Sequence, residues 1–270
     1  MAGEPLPEEF REALQASAAR RGAFGDPAVF FSEIGSTNDA AIERAERGAP
    51  EGAMVLALTQ TAGRGRLGRR WFSPPGAGLY VSVVCRDARA APRLTLAGGV
   101  AVADAIRRTT GLAVTIKWPN DVVVADRTAP ARHRKIAGLL AEGSTRAEGL
   151  QFVVLGCGIN LRPAVYPSDL AWRASSIEAE LGRPIDAPAL LAEMLALLNE
   201  HLTELAHSRD TPLLERWRAL APTATGARVE WHANGATVRG VTGGIDEKGA
   251  LLICSGHRTE RVIAGEVRWL

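Results

Sequence analysis

Between residues 63 and 71 the chain reads Gly-Arg-Gly-Arg-Leu-Gly-Arg-Arg-Trp, with four arginines and three glycines ahead of the tryptophan. A packed core has no use for so many guanidinium groups. Each is permanently charged and presents a planar fork of donors suited to phosphate or carboxylate. The glycines let backbone N–H groups come close to a ligand. The composition suits a loop that closes over a polyanion. It equally suits a solvated basic loop or a Gly-Arg tract that binds RNA.

Five further features place polar groups where apolar strands end. Ser36-Thr37-Asn38 follows a short strand, and Gln60 ends the strand that enters the Arg-Gly loop. Lys117-Trp118-Pro119-Asn120-Asp121 interrupts a strand with a proline, which cannot donate to a ladder and so marks an edge or a site. Lys135-Ile136-Ala137-Gly138 starts an apolar strand with a lysine. Gly156-Cys157-Gly158-Ile159-Asn160 ends another with small residues and an amide. Taken singly, most have plainer accounts: helix capping at 36–38, a Pro-Asn-Asp turn, a solvated edge lysine and a glycine turn. None of the five histidines falls in these motifs. The chain lacks a Ser-His-Asp or Cys-His pattern for nucleophilic catalysis.

The elements that must position these groups follow from hydrophobic periodicity. Helices are predicted over 8–21, 40–47, 94–109, 188–207 and 212–220. Strands are predicted over 29–31, 54–58, 78–85, 114–118, 135–142 and 151–156. The polar stretch 126–134 reads as a surface loop. From Gly226 the pattern changes to short strands with glycine-rich turns, over 228–232, 237–245, 250–254 and 259–267, which has the size of a small barrel. The Ala-Pro-Thr-Ala-Thr-Gly stretch at 221–226 is the best boundary, giving expected domains of 1–222 and 223–270.

With 32 basic and 30 acidic residues the formal charge is only +2, so no global field draws the chain to nucleic acid or membrane. The N-terminus has no signal-peptide pattern, and no uncharged apolar run reaches membrane-spanning length. Cys85, Cys157 and Cys254 are scattered and odd in number, which argues for reduced thiols in the cytoplasm and against a disulfide framework.

Together, Ser36-Thr37-Asn38, Gln60, the 63–71 loop, Lys117 to Asp121, Lys135 to Gly138 and Gly156 to Asn160 stand in the order and approximate spacing of bacterial biotin protein ligases. The family is also called biotin–[acetyl-CoA-carboxylase] ligase. The resemblance covers about residues 29–270, and its specific parts are the Arg-Gly loop and the Lys-Trp-Pro-Asn-Asp motif. Gly265-Glu266-Val267 resembles the family's closing motif. The resemblance implies an α+β fold: a mixed β-sheet with helices packed on one side, as in class II synthetases, plus a small C-terminal SH3-like β-barrel. It implies an enzyme that joins biotin to ATP as biotinyl-5′-adenylate and passes biotin to a lysine of a biotin carboxyl carrier protein, that of acetyl-CoA carboxylase or a related carboxylase. Mg2+ accompanies ATP. Only one helix is predicted ahead of Ser36, so the expected form lacks an N-terminal helix-turn-helix, and no DNA partner is expected. Several family members form homodimers.

Residue by residue, the resemblance implies that Ser36, Thr37, Asn38, Gln60, Arg64, Gly65, Arg66, Lys135 and Gly138 bind biotin. Arg66, Arg69, Trp71, Lys117, Asn120 and Asn160 would lie on the ATP or adenylate side. Lys135, Arg64 and Asp121 would carry the catalysis, with Asp121 facing the carrier lysine. Nothing in the sequence identifies metal ligands. The polar stretch 128–134 looks like an insertion. Two other readings compete. A lipoate ligase or octanoyl transferase shares the fold but needs an apolar slot without ureido contacts. A nucleic-acid-binding module would need stacking aromatics, and aromatic residues make up only 5% of this chain.

Overall fold

The computed structural model describes residues 3–126, 129, 132–147, 149–233, 236–263, 265 and 267–270. In chain order the first elements are α1 (Glu8–Ala16), α2 (Ala18–Arg21), β1 (Ala28–Phe31), α3 (Thr37–Glu46), β2 (Met54–Ala57), β3 (Gly78–Cys85) and α4 (Leu94–Thr110). Then come β4 (Thr115–Lys117), β5 (Asp121–Ala125), β6 (His133–Arg146), β7 (Gly149–Asn160), α5 (Ser168–Ala171), α6 (Ile177–Leu181), α7 (Ala187–Ala206) and α8 (Thr211–Leu220). The chain closes with β8 (Thr225–Ala233), β9 (Ala236–Ile245), β10 (Leu251–Ser255), β11 (Arg258–Val262) and β12 (Val267–Trp269).

Strands β1 to β7 form one sheet in the order β1-β2-β3-β7-β6-β5-β4. The β1–β2 pair is parallel and the other neighbours are antiparallel, so the sheet is mixed. The strand β3 is buried along its whole length, because both faces are covered. Its Leu79, Val81 and Val83 join the larger core, under α4, α7 and α8. Its Tyr80 and Val84 face the opposite way, toward α3. The expected helical layer is therefore present on one face. On the other face α3 packs through Ala40, Ala41 and Ala45, whose small side chains let it sit close to β2, β3 and β7. That leaves the rest of this face, over β6 and β7, as a floor.

Besides the short unpredicted helices α5 and α6, three features differ from the periodicity. One helix is expected over 8–21, but the chain breaks at Ser17, whose hydroxyl donates to the Ala13 carbonyl at 2.9 Å. Such back-bonding competes with helix continuation. Both pieces, α1 and α2, pack on α7. Second, Pro119 does not end the sheet but turns a hairpin, pairing Lys117 with Asp121 and adding the unpredicted strand β5. Third, the strand expected over 259–267 is divided into β11 and β12. Glu266 of the closing Gly-Glu-Val lies outside the described residues, as do residues 127, 128, 130 and 131 of the polar stretch, whereas His133 and Arg134 belong to β6.

Strands β8 to β12 form a second sheet, antiparallel throughout, in the order β11-β10-β9-β8-β12. It grips the β4–β5 hairpin at two points. The Trp118 indole donates to the Gly249 carbonyl at 3.1 Å, and the Lys117 ammonium lies 4.7 Å from the centre of the Trp269 ring. No described helix is long and apolar enough to cross a membrane.

Cys85 and Cys157 are buried, and Cys254 is exposed. Burial pushes the Cys157 thiol up to about 12 and moves Cys85 the same way. The thiolate is the reactive form. At pH 8 the native protein is therefore expected to react quickly with an aromatic disulfide reagent at Cys254 alone. Unfolding should expose all three thiols, and absorbance of the released thiolate checks both counts.

Candidate functional site

Three glycines form the floor of a pocket. Gly138 of β6 lies opposite Gly158 of β7, and Gly156 pairs with Leu140 two residues along. A Cβ atom on Gly158 would stand 2.7 Å from the Trp71 ring. On Gly138 it would stand 2.7 Å from both Trp71 and the Lys135 ammonium, and on Gly156 2.2 Å from the Asn38 Oδ1. Only glycine lets these side chains lie against the sheet. Gly156→Ala is expected to cost about 1–3 kcal/mol of stability, the usual range for overpacking, because the methyl group drives buried Asn38 off its partners. Equilibrium urea unfolding checks this.

The end of the pocket toward α3 is lined by neutral polar residues, of which Ser36, Thr37 and Asn38 are buried. Ser36 is the residue before α3, but its side chain makes no capping bond, and Thr37 and Asn38 lie in the first turn. The capping account of these residues thus gives way to a cross-linked network. Gln60 Oε1 accepts from the Thr37 backbone N–H at 2.8 Å and from its hydroxyl at 3.1 Å. The Asn38 Nδ2 donates to Glu142 Oε2 at 2.6 Å, and its Oδ1 accepts from the Ser82 hydroxyl at 2.6 Å. Fixed neutral donors and acceptors of this kind recognise a neutral polar ring.

The other end is cationic. Lys135 reaches the pocket face through a β-bulge. The β5–β6 register pairs Val122 with Ala137 but Val123 with Lys135, leaving Ile136 as an extra residue. Ile136 and Ala137 both turn into the larger core, and Lys135 is re-aimed to the side of Gly138, a common use of a bulge. Residues 173–175 hold this strand start: the Lys135 N–H donates to the Arg173 carbonyl at 2.8 Å, and the Ser175 N–H to the Lys135 carbonyl at 2.9 Å. The Lys135 ammonium sits 2.5 Å from Asp121 and 4.9 Å from the centre of the Trp71 ring.

The Arg-Gly loop lies across the top. Its base is closed by the Trp71 N–H donating to the Gly63 carbonyl at 2.9 Å and the Gly65 N–H to the Arg69 carbonyl at 2.7 Å. Arg64 forms ion pairs with Asp39 at 2.7 Å and Glu142 at 2.8 Å. Arg66 is half-buried and has no ion-pair partner within 4 Å among the described residues. Burial pushes its pKa down from the usual arginine value, with the Asp121 charge acting the other way. A guanidinium with that starting value keeps its charge at neutral pH, so Arg66 is a charge waiting for an anion.

The structure brings Ser36, Thr37, Asn38, Gln60, Arg64, Gly65, Arg66, Trp71, Asn120, Lys135 and Gly138 to one pocket, with about 50 Å3 of free space. Asn120 is held there by its Nδ2 donating to the Leu139 carbonyl at 2.6 Å. Asp121 meets the pocket through its pair with Lys135. Besides Asp121, three predicted residues are not in the lining. Arg69 is exposed on the loop, Lys117 faces Trp269, and Asn160 is buried behind Lys135, donating to the Ser175 carbonyl at 2.9 Å. A second hollow, of about 420 Å3, opens beside Arg66 between Trp118, Pro119 and residues 248–250 of the turn between β9 and β10.

Ser82 and Glu142 belong to the network, and sequence reasoning did not single them out. A signal existed for both. Ser82 is the one polar side chain in Leu-Tyr-Val-Ser-Val-Val, and Glu142 follows Gly138 and Leu140 at the period of two that keeps residues on one strand face.

Comparison with known proteins gives the family and the fold. Residues 31–160 match the model of the biotin/lipoate A/B protein ligase family. A biotin–[acetyl-CoA-carboxylase] ligase of Paracoccus denitrificans is 32% identical over 86% of this chain and 96% of its own length. One from Mycobacterium tuberculosis is 35% identical over 87% of this chain and 86% of its own length. The solved structure of the Aquifex aeolicus biotin protein ligase, in complex with biotin and ATP, superposes with a TM-score of 0.77 at 25% identity, covering 91% of this chain and 99% of that one.

Proposed function

This chain belongs to the biotin/lipoate protein ligase family, and from that premise we propose that it is a biotin–protein ligase. It activates biotin with ATP and transfers it to a lysine of a carrier protein. The observation that carries this reading is the polarity of one pocket: a neutral set, buried Ser36, Thr37 and Asn38 with partly buried Gln60, at one end, and Lys135 and Arg66 at the other, joined by a glycine floor. A ureido ring fits the first end and a carboxylate fits the second. A lipoyl dithiolane offers nothing for the neutral set to hydrogen-bond, and leaving buried polar groups unpaired is costly.

In the first step a carboxylate oxygen of biotin bonds to the α-phosphorus of ATP, and the bond from that phosphorus to the bridging oxygen breaks, releasing pyrophosphate. The carboxylate is ionised at neutral pH, so no base is required. The obstacle is repulsion between two anions, and fixed cations at the developing charge remove it. Lys135 exchanges Asp121 for the carboxylate and α-phosphate, and Arg66 and Arg69 meet the phosphates. Trp71 packs on the adenylate, beside Asn120. Ser36, Thr37, Asn38 and Gln60 hold the ureido end, with Arg64 and Gly65 closing over biotin. Asn160 and Lys117 act from outside the pocket, the first by fixing the Lys135 backbone and the second through the second sheet. Mg2+ enters on the phosphates of ATP, as part of the substrate.

In the second step the carrier lysine attacks the acyl carbon and AMP leaves. Asp121, released by Lys135, receives the proton of the attacking ammonium. The carrier is the biotin carboxyl carrier domain of acetyl-CoA carboxylase or a related carboxylase, and the reaction belongs to the cytoplasm. Residues 223–270 act as a separate C-terminal unit. For a homodimer the sheet offers β6 beyond Gly138, where β7 lies on one side and β5 no longer pairs on the other. The packing of α1 and α2 on α7 uses their faces within the domain, so no DNA contact is assigned to them.

The test is pyrophosphate exchange. Purified protein with ATP, Mg2+ and labelled pyrophosphate is expected to incorporate label into ATP when biotin is present and not when lipoate replaces it. Exchange with lipoate alone would overturn the substrate assignment, and exchange with neither would overturn the activity.

A further inference from the structure

We infer that Glu142 is a positioning residue that latches the Arg-Gly loop onto the ureido end of the pocket, so that retention of the adenylate depends on it. The inference rests on the biotin-ligase reading for the identity of the ligand, and on the network itself for the latch. One oxygen, Glu142 Oε2, accepts from Asn38 Nδ2 at 2.6 Å and from Arg64 Nη2 at 2.8 Å. The same Arg64 nitrogen lies 2.7 Å from Asp39 on the first turn of α3. A side chain of the loop, one of the sheet and one of the helix therefore converge at a single point above Asn38.

Glu142 is well placed for this because it is on the stretch of β6 that has lost β5 as a neighbour, so its side chain stands at the pocket rim. About 50 Å3 of free space remains beneath the loop. Lifting the loop away from the sheet breaks both Arg64 pairs. Neither pair alone is expected to hold a loop, since each is partly exposed. Their coupling through buried Asn38 is what ties loop position to the ligand end of the pocket, because a ring hydrogen-bonded by Asn38 keeps Glu142 oriented toward Arg64.

The test compares wild type, Glu142→Gln, Glu142→Asp and Asp39→Asn, the last because an exposed helix residue leaves folding undisturbed. Two readouts are used: the rate at which preformed biotinyl-adenylate dissociates, and the rate of trypsin cleavage after Arg64 and Arg66 without ligand. Glu142→Gln is expected to release adenylate about tenfold faster and to be cut several times faster. Asp39→Asn should move both rates in the same direction by a smaller factor, and Glu142→Asp should recover part of the retention. Adenylate release and cleavage within twofold of wild type in Glu142→Gln would overturn the latch. If wild type forms no adenylate, the ligase reading fails instead, and the cleavage rates alone decide whether Glu142 holds the loop.

Discussion

Lys135→Ala is expected to slow biotin-dependent pyrophosphate exchange by about 10²–10³-fold, the loss typical of removing one preorganised group that stabilises transition-state charge. Biotin affinity should fall by less than about tenfold, because the ureido network that holds the ring does not involve Lys135. The large effect has a second source. Lys135 is paired with Asp121 in a half-buried setting, so its removal leaves a carboxylate beside two incoming anions. The double variant Lys135→Ala with Asp121→Asn should therefore exchange faster than Lys135→Ala alone, a non-additivity expected of groups in contact. Exchange kinetics at saturating ATP and calorimetric biotin titration separate the two quantities. Equal losses in rate and affinity would remove the transition-state role.

Asp121→Asn is expected to slow transfer from preformed adenylate to the carrier by about 10²-fold at pH 7, within the range for losing a positioned general base. The sign of its pH dependence identifies the role. A free lysine has a pKa of about 10.4, so at neutral pH the attacking amine is almost wholly protonated. Without a carboxylate to take that proton, transfer should rise about tenfold per pH unit between 7 and 9, following the neutral amine. The wild-type rate should rise less steeply. A uniform loss at every pH would mean that Asp121 acts only by holding Lys135. Single-turnover transfer, followed by mass spectrometry of the carrier, measures both slopes.

The second sheet enters this chemistry indirectly. Lys117 and Trp118 face β12 and the Gly249 turn, while Asn120 and Asp121, one turn further along the same hairpin, face the pocket. A motif that reads as one cluster of five residues is therefore divided between two tasks. Its proline makes the hairpin turn that separates them.

Much of the site was legible without coordinates because the chemistry needs particular residue types. The loop shows itself by its arginines and glycines, the polar end of the pocket by clustered neutral amides and hydroxyls, and strands such as Gly78–Cys85 by their apolar run. These are local properties, written in adjacent residues. Three decisive features are not local. Lys135 points into the pocket because Ile136 is an extra residue against β5, and a bulge is defined by pairing with a strand whose own existence was hidden behind Pro119. Gly138 and Gly158 form one floor because the β6–β7 register sets them opposite each other across twenty residues of chain. Glu142 meets Arg64 because the loop folds back over the end of a strand 78 residues away. Register, bulges and loop docking are settled by burial on both faces of the sheet and by long-range pairing, so the residue types announce the chemistry and the sheet decides which of them share it.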